Sequence, residues 1–333
     1  MGNETMKQKV IAYERVAPSV LQALQQDYDV RYFKNINPKN DPDFLAFLHE
    51  AEGVIGTRFP ADRELLEKAP NLKIVSTVSV GYNHFDIDEL TKRGILATNT
   101  PGVLDDTVAD LSMALILATA RRLPELDRYV KEGQWTESLP DAFFGVDVHH
   151  KKLGIIGMGR IGQAIAQRAH FGFNMDILYN SRTPKPEAEK RFAAVYRSLE
   201  DLLRESDFVL LITPLTPETE ELIGKKEFEL MKQSAIFINV SRGGTVVEPD
   251  LIEALQTKEI AAAGLDVFAQ EPVAPANPLL QMDNVVTLPH IGSSTAETEL
   301  KMAKVAEENL RAGLRGERPG NLIDGRVWNT MEG

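Results

Sequence analysis

Short apolar runs alternate with helix-forming segments along the chain and fall into two groups. The first group is Val10–Tyr13, Val30–Phe33, Gly53–Gly56, Ile74–Thr77 and Ile95–Thr98, and the second is Leu153–Gly157, Ile177–Tyr179, Phe208–Ile212, Ala235–Val240, Ala262–Val267 and Val285–Leu288. Nearly continuous apolar strands separated by helices are typical of parallel sheets covered on both faces. The pattern therefore predicts an α/β fold with two doubly wound parallel-sheet domains.

Two long helical segments connect these groups. A mostly apolar helix is predicted over Thr107–Arg121, capped by Asp105 or Asp106, and a second helix over Ser294–Leu314. The residues after this second helix are too few to add a large core, so we expect them to return to the first domain. The sequence therefore predicts a discontinuous first domain, formed by residues 1–106 and 296–333, and a second domain formed by residues 107–295. A cleft between two such domains is the expected ligand site.

A glycine motif opens the second group of strands. Gly157, Gly159 and Gly162 form a G-x-G-x-x-G pattern between an apolar strand and a helix-forming run. Such a turn lets the backbone approach a pyrophosphate and directs the N–H groups of the following helix at the anion. The motif predicts dinucleotide binding by the second domain, and an ordinary glycine turn between strand and helix is the alternative.

The next strand decides which dinucleotide we expect. NAD-binding domains place an acidic residue at its end to bind the ribose 2′-hydroxyl, but here the strand ends in Asn180, Ser181 and Arg182. A guanidinium suits a phosphate dianion, which a carboxylate would repel. We therefore predict NADPH as the preferred coenzyme, with NADH binding more weakly; a solvated arginine is the alternative interpretation.

Composition and charge exclude several kinds of chemistry. The 333 residues include no cysteine, which excludes disulfides, thiolate catalysis and cysteine–zinc sites and fits a reducing compartment. The net charge is −12 without a basic cluster, so nucleic acid is not an expected partner.

No secretory signal or membrane-spanning run is recognised, and we expect a cytoplasmic protein with no membrane partner. No metal is predicted, and the adjacent His149 and His150 are expected to point apart.

Three unusual side chains follow strands of the second group. Arg242, Glu271 and His290 come after the strands that end near 240, 267 and 288. Ligands of open α/β sheets bind beyond the carboxyl ends of strands, so we expect the three at one edge. They suit reduction of a 2-oxo acid: an imidazole to supply the proton, a carboxylate to orient it, and a guanidinium to hold the substrate. Taken singly, each has a structural or solvated alternative.

A second glycine loop follows a strand of the first group. The backbone N–H groups of Ser79-Val80-Gly81 are candidates for binding a substrate carboxylate, and a plain strand-to-helix turn is the alternative.

Four motifs together resemble the D-isomer-specific 2-hydroxyacid dehydrogenases: Gly157–Gly162, Asn239–Gly243, Gly264–Phe268 with Glu271-Pro272, and Leu288–Gly292. The segments Asp147–Asn174 and Ser79–Asn83 are closest to the bacterial glyoxylate/hydroxypyruvate reductase and 2-ketogluconate reductase branch. The resemblance implies a flavodoxin-like substrate domain and a Rossmann nucleotide domain. It also implies His290 as acid/base, Glu271 as its partner, and substrate binding by Arg242, His290, Val80 and Gly81.

The resemblance further implies reduction of hydroxypyruvate, glyoxylate or 2-ketogluconate to D-2-hydroxy acids by a homodimer joined through Arg121–Asp147. The preference for NADPH rests on Asn180–Arg182, where the chain departs from the NAD-type members. The expected coenzyme contacts are Thr107, Gly157, Met158, Gly159, Arg160, Ile161, Gly162, Ser181, Arg182, Thr213, Pro214, Val240, Ser241, Arg242, Asp266, His290 and Gly292. The alternatives are a 3-phosphoglycerate-type dehydrogenase and a non-catalytic nucleotide-sensing scaffold.

Overall fold

The computed structural model describes residues 7–331. The chain divides into two compact units, Met1–Leu104 with Ser294–Gly333, and Asp105–Ser293. Each junction lies two residues before the position that the sequence predicts.

The first unit is built on a five-stranded parallel sheet in the order β2-β1-β3-β4-β5. Its strands are β1 (Lys9–Tyr13), β2 (Asp29–Phe33), β3 (Gly53–Gly56), β4 (Ile74–Thr77) and β5 (Leu96–Thr98). Its helices are α1 (Pro18–Asp27), α2 (Pro42–Glu50), α3 (Arg63–Leu66), α4 (Ile87–Lys92), α12 (Ala296–Leu314) and α13 (Arg326–Met331). Strands β3 and β4 are buried throughout because helices cover both faces of the sheet.

A buried polar chain holds α12 on this sheet. Thr98 Oγ1 donates to Ser76 Oγ at 2.9 Å, and Ser76 Oγ donates to the carbonyl of Ala306 at 2.8 Å. Buried hydroxyls cost free energy unless they are paired, so this chain fixes where the returning C-terminal helix packs.

The second unit is built on a seven-stranded parallel sheet in the order β12-β11-β10-β9-β6-β7-β8. Its strands are β6 (Lys152–Ile156), β7 (Asp176–Asn180), β8 (Val195–Tyr196), β9 (Phe208–Leu211), β10 (Ile236–Asn239), β11 (Ala262–Leu265) and β12 (Val285–Thr287). Its helices are α5 (Asp105–Ala120), α6 (Leu123–Lys131), α7 (Arg160–Phe173), α8 (Pro186–Phe192), α9 (Leu199–Glu205), α10 (Lys225–Leu230) and α11 (Glu248–Gln256). The strand order reverses direction between β6 and β9, where such folds bind nucleotides.

The predicted fold class, two parallel-sheet α/β domains, is confirmed. The sequence missed β8, a two-residue strand with both side chains exposed. The capping role of Asp105 or Asp106 is wrong, because α5 begins at Asp105 and both carboxylates lie in its first turn. There they still face the positive end of the helix dipole.

The expectation that His149 and His150 point apart is also wrong. Their Nδ1 atoms are 2.9 Å apart, because His150 adopts a left-handed backbone (φ 58°) instead of an extended one.

Across residues 7–331, no helix combines the length and the apolar character needed to span a bilayer.

Candidate active site

The glycine turn after β6 has the geometry that its sequence predicts. Gly157 has φ +111°, and a Cβ there would lie 2.5 Å from the carbonyl oxygen of Ile212. A Cβ on Gly159 would meet nothing within 4 Å, so this position opens onto free space. A Cβ on Gly162 would lie 2.2 Å from the carbonyl oxygen of Gly157. The first and third glycines are therefore required by packing, whereas the second leaves room for a bound group.

This turn delivers the N-terminus of a long helix to the carboxyl edge of the sheet. Helix α7 begins at Arg160 directly after Gly159, whose side-chain-free position provides no capping group. Its first N–H groups and the helix dipole favour an anion at this point. Nearby on the adjacent strand end, Thr213 Oγ1 is buried without a hydrogen-bond partner among the described residues. An open cradle, a helix N-terminus and an unsatisfied hydroxyl fit a dinucleotide pyrophosphate.

The end of β7 carries the residues that are predicted to set coenzyme preference. The carbonyl of Asn180 accepts a hydrogen bond from Gly157 N–H at 2.9 Å, and its side chain donates to the carbonyl of Arg197 at 2.8 Å. Asn180 therefore helps to fix the conformation of the glycine turn at Gly157. Arg182 is exposed, and Ser181 is half-buried with its hydroxyl donating to the carbonyl of Thr183 at 2.7 Å.

His290 and Glu271 form a close pair beyond β11 and β12. Glu271 Oε2 lies 2.7 Å from His290 Nδ1, and the two side chains are 24% and 33% exposed, respectively. The other carboxylate oxygen, Oε1, accepts the N–H of Phe268 at 3.2 Å. With Nδ1 held by a carboxylate, the ring presents Nε2 as the nitrogen that can exchange a proton with a ligand.

The loop that carries His290 is held by a second carboxylate. Asp266 is buried, and its two oxygens accept the N–H groups of Ile291 at 2.8 Å and Gly292 at 2.9 Å. Burial raises the pKa of Asp266, while these hydrogen bonds and His290 oppose the rise. His290 itself has a left-handed backbone (φ 55°), a conformation that costs free energy in a non-glycine residue. The carboxylate contacts with the two following residues support this strained backbone.

Arg242 follows β10 in a tightly bonded turn. Ser241 donates through both N–H (2.9 Å) and Oγ (2.7 Å) to Asn239 Oδ1. The carbonyl of Arg242 accepts Thr245 Oγ1 at 2.6 Å, and its guanidinium donates to the carbonyl of Ser241 at 2.7 Å. A Cβ on Gly243 would overlap the carbonyl of Phe268 at 1.8 Å, so the turns after β10 and β11 are in direct contact. This contact brings the segments that carry Arg242 and Glu271 together.

In the first unit, the Ser79-Val80-Gly81 loop is pinned by its carbonyl groups. The carbonyl of Ser79 accepts Thr100 N–H at 2.9 Å, that of Val80 accepts Asn99 Nδ2 at 2.8 Å, and that of Gly81 accepts Ser79 Oγ at 2.7 Å. The three carbonyl groups of this loop therefore accept hydrogen bonds from within the protein and hold the loop in place.

The remaining predicted coenzyme residues all belong to the second unit. Thr107 lies in the first turn of α5, and Ile161 in the first turn of α7. Met158 and Val240 are buried, and Pro214 is exposed just after β9. Asp105, named from the sequence as a possible helix cap, lies near Arg160: burial raises the pKa of its carboxyl group, and Arg160 opposes the rise.

No group of three or more His, Asp or Glu side chains suited to a metal is found in the part of the chain that is described. The expectation of a metal-free protein stays a prediction.

Comparison with known proteins supports the family that the motifs resemble. Residues 113–292 match the family model for the NAD binding domain of D-isomer specific 2-hydroxyacid dehydrogenases. Glyoxylate/hydroxypyruvate reductase B of Escherichia coli O6:H1 is 53% identical over 97% of this chain and 99% of its own. The TT0316 protein of Thermus thermophilus superposes with a TM-score of 0.87 at 39% identity, over 95% of this chain and 100% of that one.

A further solved structure holds ligands. The NADPH-dependent glyoxylate/hydroxypyruvate reductase SMc04462 of Sinorhizobium meliloti, in complex with NADP and malonate, has a TM-score of 0.86 at 29% identity, over 96% of this chain and 98% of that one. The predicted family is confirmed: the chain belongs to the D-isomer specific 2-hydroxyacid dehydrogenases.

Proposed function

We propose that this protein catalyses the NADPH-dependent reduction of small 2-oxo acids to D-2-hydroxy acids, with glyoxylate, hydroxypyruvate and 2-ketogluconate as the substrates to test. The observation that carries the proposal is the 2.7 Å contact between His290 and Glu271, placed at the sheet edge that also carries the glycine turn. The E. coli relative's name supports glyoxylate and hydroxypyruvate as substrates. No observation favours the 3-phosphoglycerate dehydrogenase or scaffold alternatives.

His290 is the proposed proton donor. The bound coenzyme would supply a hydride to the carbonyl carbon of the 2-oxo acid. As the C=O double bond opens, His290 Nε2 gives its proton to the carbonyl oxygen, and the product is the hydroxyl group. Glu271 stabilises the protonated imidazole before transfer and fixes which nitrogen faces the substrate. Because Phe268 N–H holds the other oxygen of Glu271, the carboxylate keeps its orientation when the histidine loses its charge.

Arg242 is proposed to bind the substrate carboxylate and its carbonyl oxygen. A guanidinium can donate two parallel hydrogen bonds, which fixes the carbonyl carbon relative to the hydride donor. The backbone N–H groups of Val80 and Gly81 are proposed as further ligands of the carboxylate. In this scheme the second unit binds the coenzyme and also supplies Arg242 and His290 to the substrate.

Arg182 and Ser181 are proposed to bind the 2′-phosphate of NADPH. The exposed guanidinium at the end of β7 and the absence of a carboxylate there support this preference. The relative from S. meliloti is NADPH-dependent by name. The remaining coenzyme contacts are proposed as the resemblance implies them, with Thr213 Oγ1 gaining a partner on binding.

We also propose a homodimer formed through Arg121–Asp147. Helix α6 in this segment buries none of its own residues, and Leu123, Val130, Trp135, Phe144 and Val146 are 48–63% exposed. Apolar side chains concentrated in this way are typical of a protein interface.

The expected cytoplasmic location likewise stays a proposal, supported by the absence of cysteine.

The test is a substrate panel with the purified protein. NADPH oxidation is followed on adding glyoxylate, hydroxypyruvate, 2-ketogluconate or 3-phosphohydroxypyruvate, and each assay is repeated with NADH. We expect turnover with at least one of the first three acids and a higher kcat/KM with NADPH. Folded protein that oxidises neither coenzyme with any of these acids would overturn the proposal.

A further inference from the structure

The loop after β7 carries the two side chains that are proposed to bind the 2′-phosphate. It runs from Ser181 to Lys185, where α8 follows directly. Arg182 is exposed on this loop, so its position depends on how the two ends of the loop are held. A guanidinium gives discrimination only if its fork is placed for two hydrogen bonds at once.

The far end of the loop is held by a buried phenol. Tyr179 is fully buried, and its hydroxyl accepts the backbone N–H of Lys185 at 2.6 Å. The same hydroxyl donates to Glu189 Oε1 on α8 at 2.8 Å. Burial raises the pKa of Tyr179, so the phenol keeps the proton that it donates. One side chain at the end of β7 therefore ties down both the end of the loop and the helix after it.

The near end of the loop is held by separate contacts. Asn180 Nδ2 donates to the carbonyl of Arg197 at 2.8 Å, and Tyr196 Oη donates to the carbonyl of Ser181 at 3.4 Å. The rings of Tyr179 and Tyr196 also pack edge to face, with centroids 5.4 Å apart. The loop is thus held at both ends, and these contacts together fix the position of Arg182 relative to a ligand.

We infer that Tyr179 is a positioning residue for coenzyme discrimination: its hydroxyl holds loop 181–185 so that Ser181 and Arg182 bind the 2′-phosphate. This inference rests on the proposed NADPH preference. Tyr179 does not touch the coenzyme itself in this scheme. If the role of Tyr179 is purely structural, loss of its hydroxyl weakens the binding of NADPH and NADH equally. If it is a positioning role, only the binding of NADPH is weakened.

The test compares coenzyme binding by the wild type and Tyr179→Phe. Kd values for NADPH and NADH are measured by fluorescence titration, and for adenosine 2′,5′-bisphosphate and 5′-AMP by calorimetry. We expect Tyr179→Phe to raise the Kd of the two 2′-phosphorylated ligands by about fivefold, which is the loss of roughly one hydrogen bond. The Kd values of NADH and 5′-AMP should stay within about twofold.

Two controls accompany this variant. Tyr32→Phe removes another tyrosine hydroxyl, which donates to the carbonyl of Glu14 in the first unit, and should change none of the four constants. Should Tyr179→Phe fail to fold, Glu189→Ala removes the acceptor that orients the phenol and should shift the same two constants in the same direction.

The outcomes separate the inference from the function on which it rests. A wild type that binds NADPH and NADH equally would overturn the proposed preference and this inference together. A wild type that prefers NADPH, with a Tyr179→Phe variant that keeps the full preference or loses affinity equally for all four ligands, would overturn the inference alone.

Discussion

Three glycines of α7 and its preceding turn allow packing and coenzyme binding to be separated by single alanine substitutions. At Gly162 a Cβ would lie 2.2 Å from the carbonyl oxygen of Gly157, and real Cβ atoms do not approach closer than 3.0 Å. The N-terminus of α7 must therefore move away from the turn by at least about 0.8 Å, the difference between the two distances.

The expected cost of Gly162→Ala is about 1–3 kcal/mol of stability, as for other overpacked sites. Alanine is the better helix former by about 1 kcal/mol, so any net loss of stability understates the clash. Because the same movement displaces the N–H groups that face the pyrophosphate, we expect the Kd for NADPH to rise by about tenfold or more.

The two other glycines provide matched controls. Neither Gly159 nor Gly172 has any atom within 4 Å of an added Cβ. Gly159→Ala should leave the unfolding temperature unchanged but weaken coenzyme binding, because its Cβ enters the space proposed for the pyrophosphate. Gly172→Ala, in the last turn of α7, should keep full coenzyme affinity and at least wild-type stability.

The assays are thermal unfolding without ligand and fluorescence titration with NADPH. Normal coenzyme affinity in Gly162→Ala, or equal destabilisation by Gly159→Ala and Gly162→Ala, would refute the packing argument.

Two further predictions concern stability and assembly. Hydrogen bonds from Arg326 lower the pKa of Asp324 from 3.8 to about 2, so its stabilising effect is present above pH 4 and disappears as the pH falls towards 2. Asp324→Asn should thus lower the free energy of unfolding at pH 7 by about 1 kcal/mol, a value reduced because the arginine is exposed to solvent. The loss at pH 3 should be smaller. An equal loss at both pH values in denaturant titrations would contradict this prediction. Trp135→Asp should convert the proposed dimer to monomers in sedimentation equilibrium, whereas Tyr32→Asp in the first unit should not; a monomeric wild type would show the dimer proposal to be wrong.

Most of the fold could be predicted from the sequence because central parallel strands are buried on both faces and appear as uninterrupted apolar runs. Strand β8 could not, since its two residues lie at an exposed sheet edge and carry no such pattern. The start of α5 was placed two residues late because acidic residues are common both as caps and in the first helical turn.

The site residues at strand ends could be named, because parallel strands bring their carboxyl ends to one edge. Contacts that depend on the path of a loop could not be predicted in the same way. Tyr179 is an apolar strand residue in the sequence, and its partners on Lys185 and Glu189 appear only once the loop folds back over it. For His149 and His150, the expectation assumed extended backbone, which the left-handed conformation of His150 does not follow.

The central claim is that His290 supplies the proton in reduction of a 2-oxo acid. Its most direct test is the steady-state oxidation of NADPH with hydroxypyruvate by the wild type and by His290→Ala, together with NADPH titration of both proteins. We predict that kcat falls by about 10²–10⁴-fold while the Kd for NADPH changes by less than about threefold. A His290→Ala variant that binds NADPH and keeps a kcat within a few-fold of the wild type would contradict the mechanism.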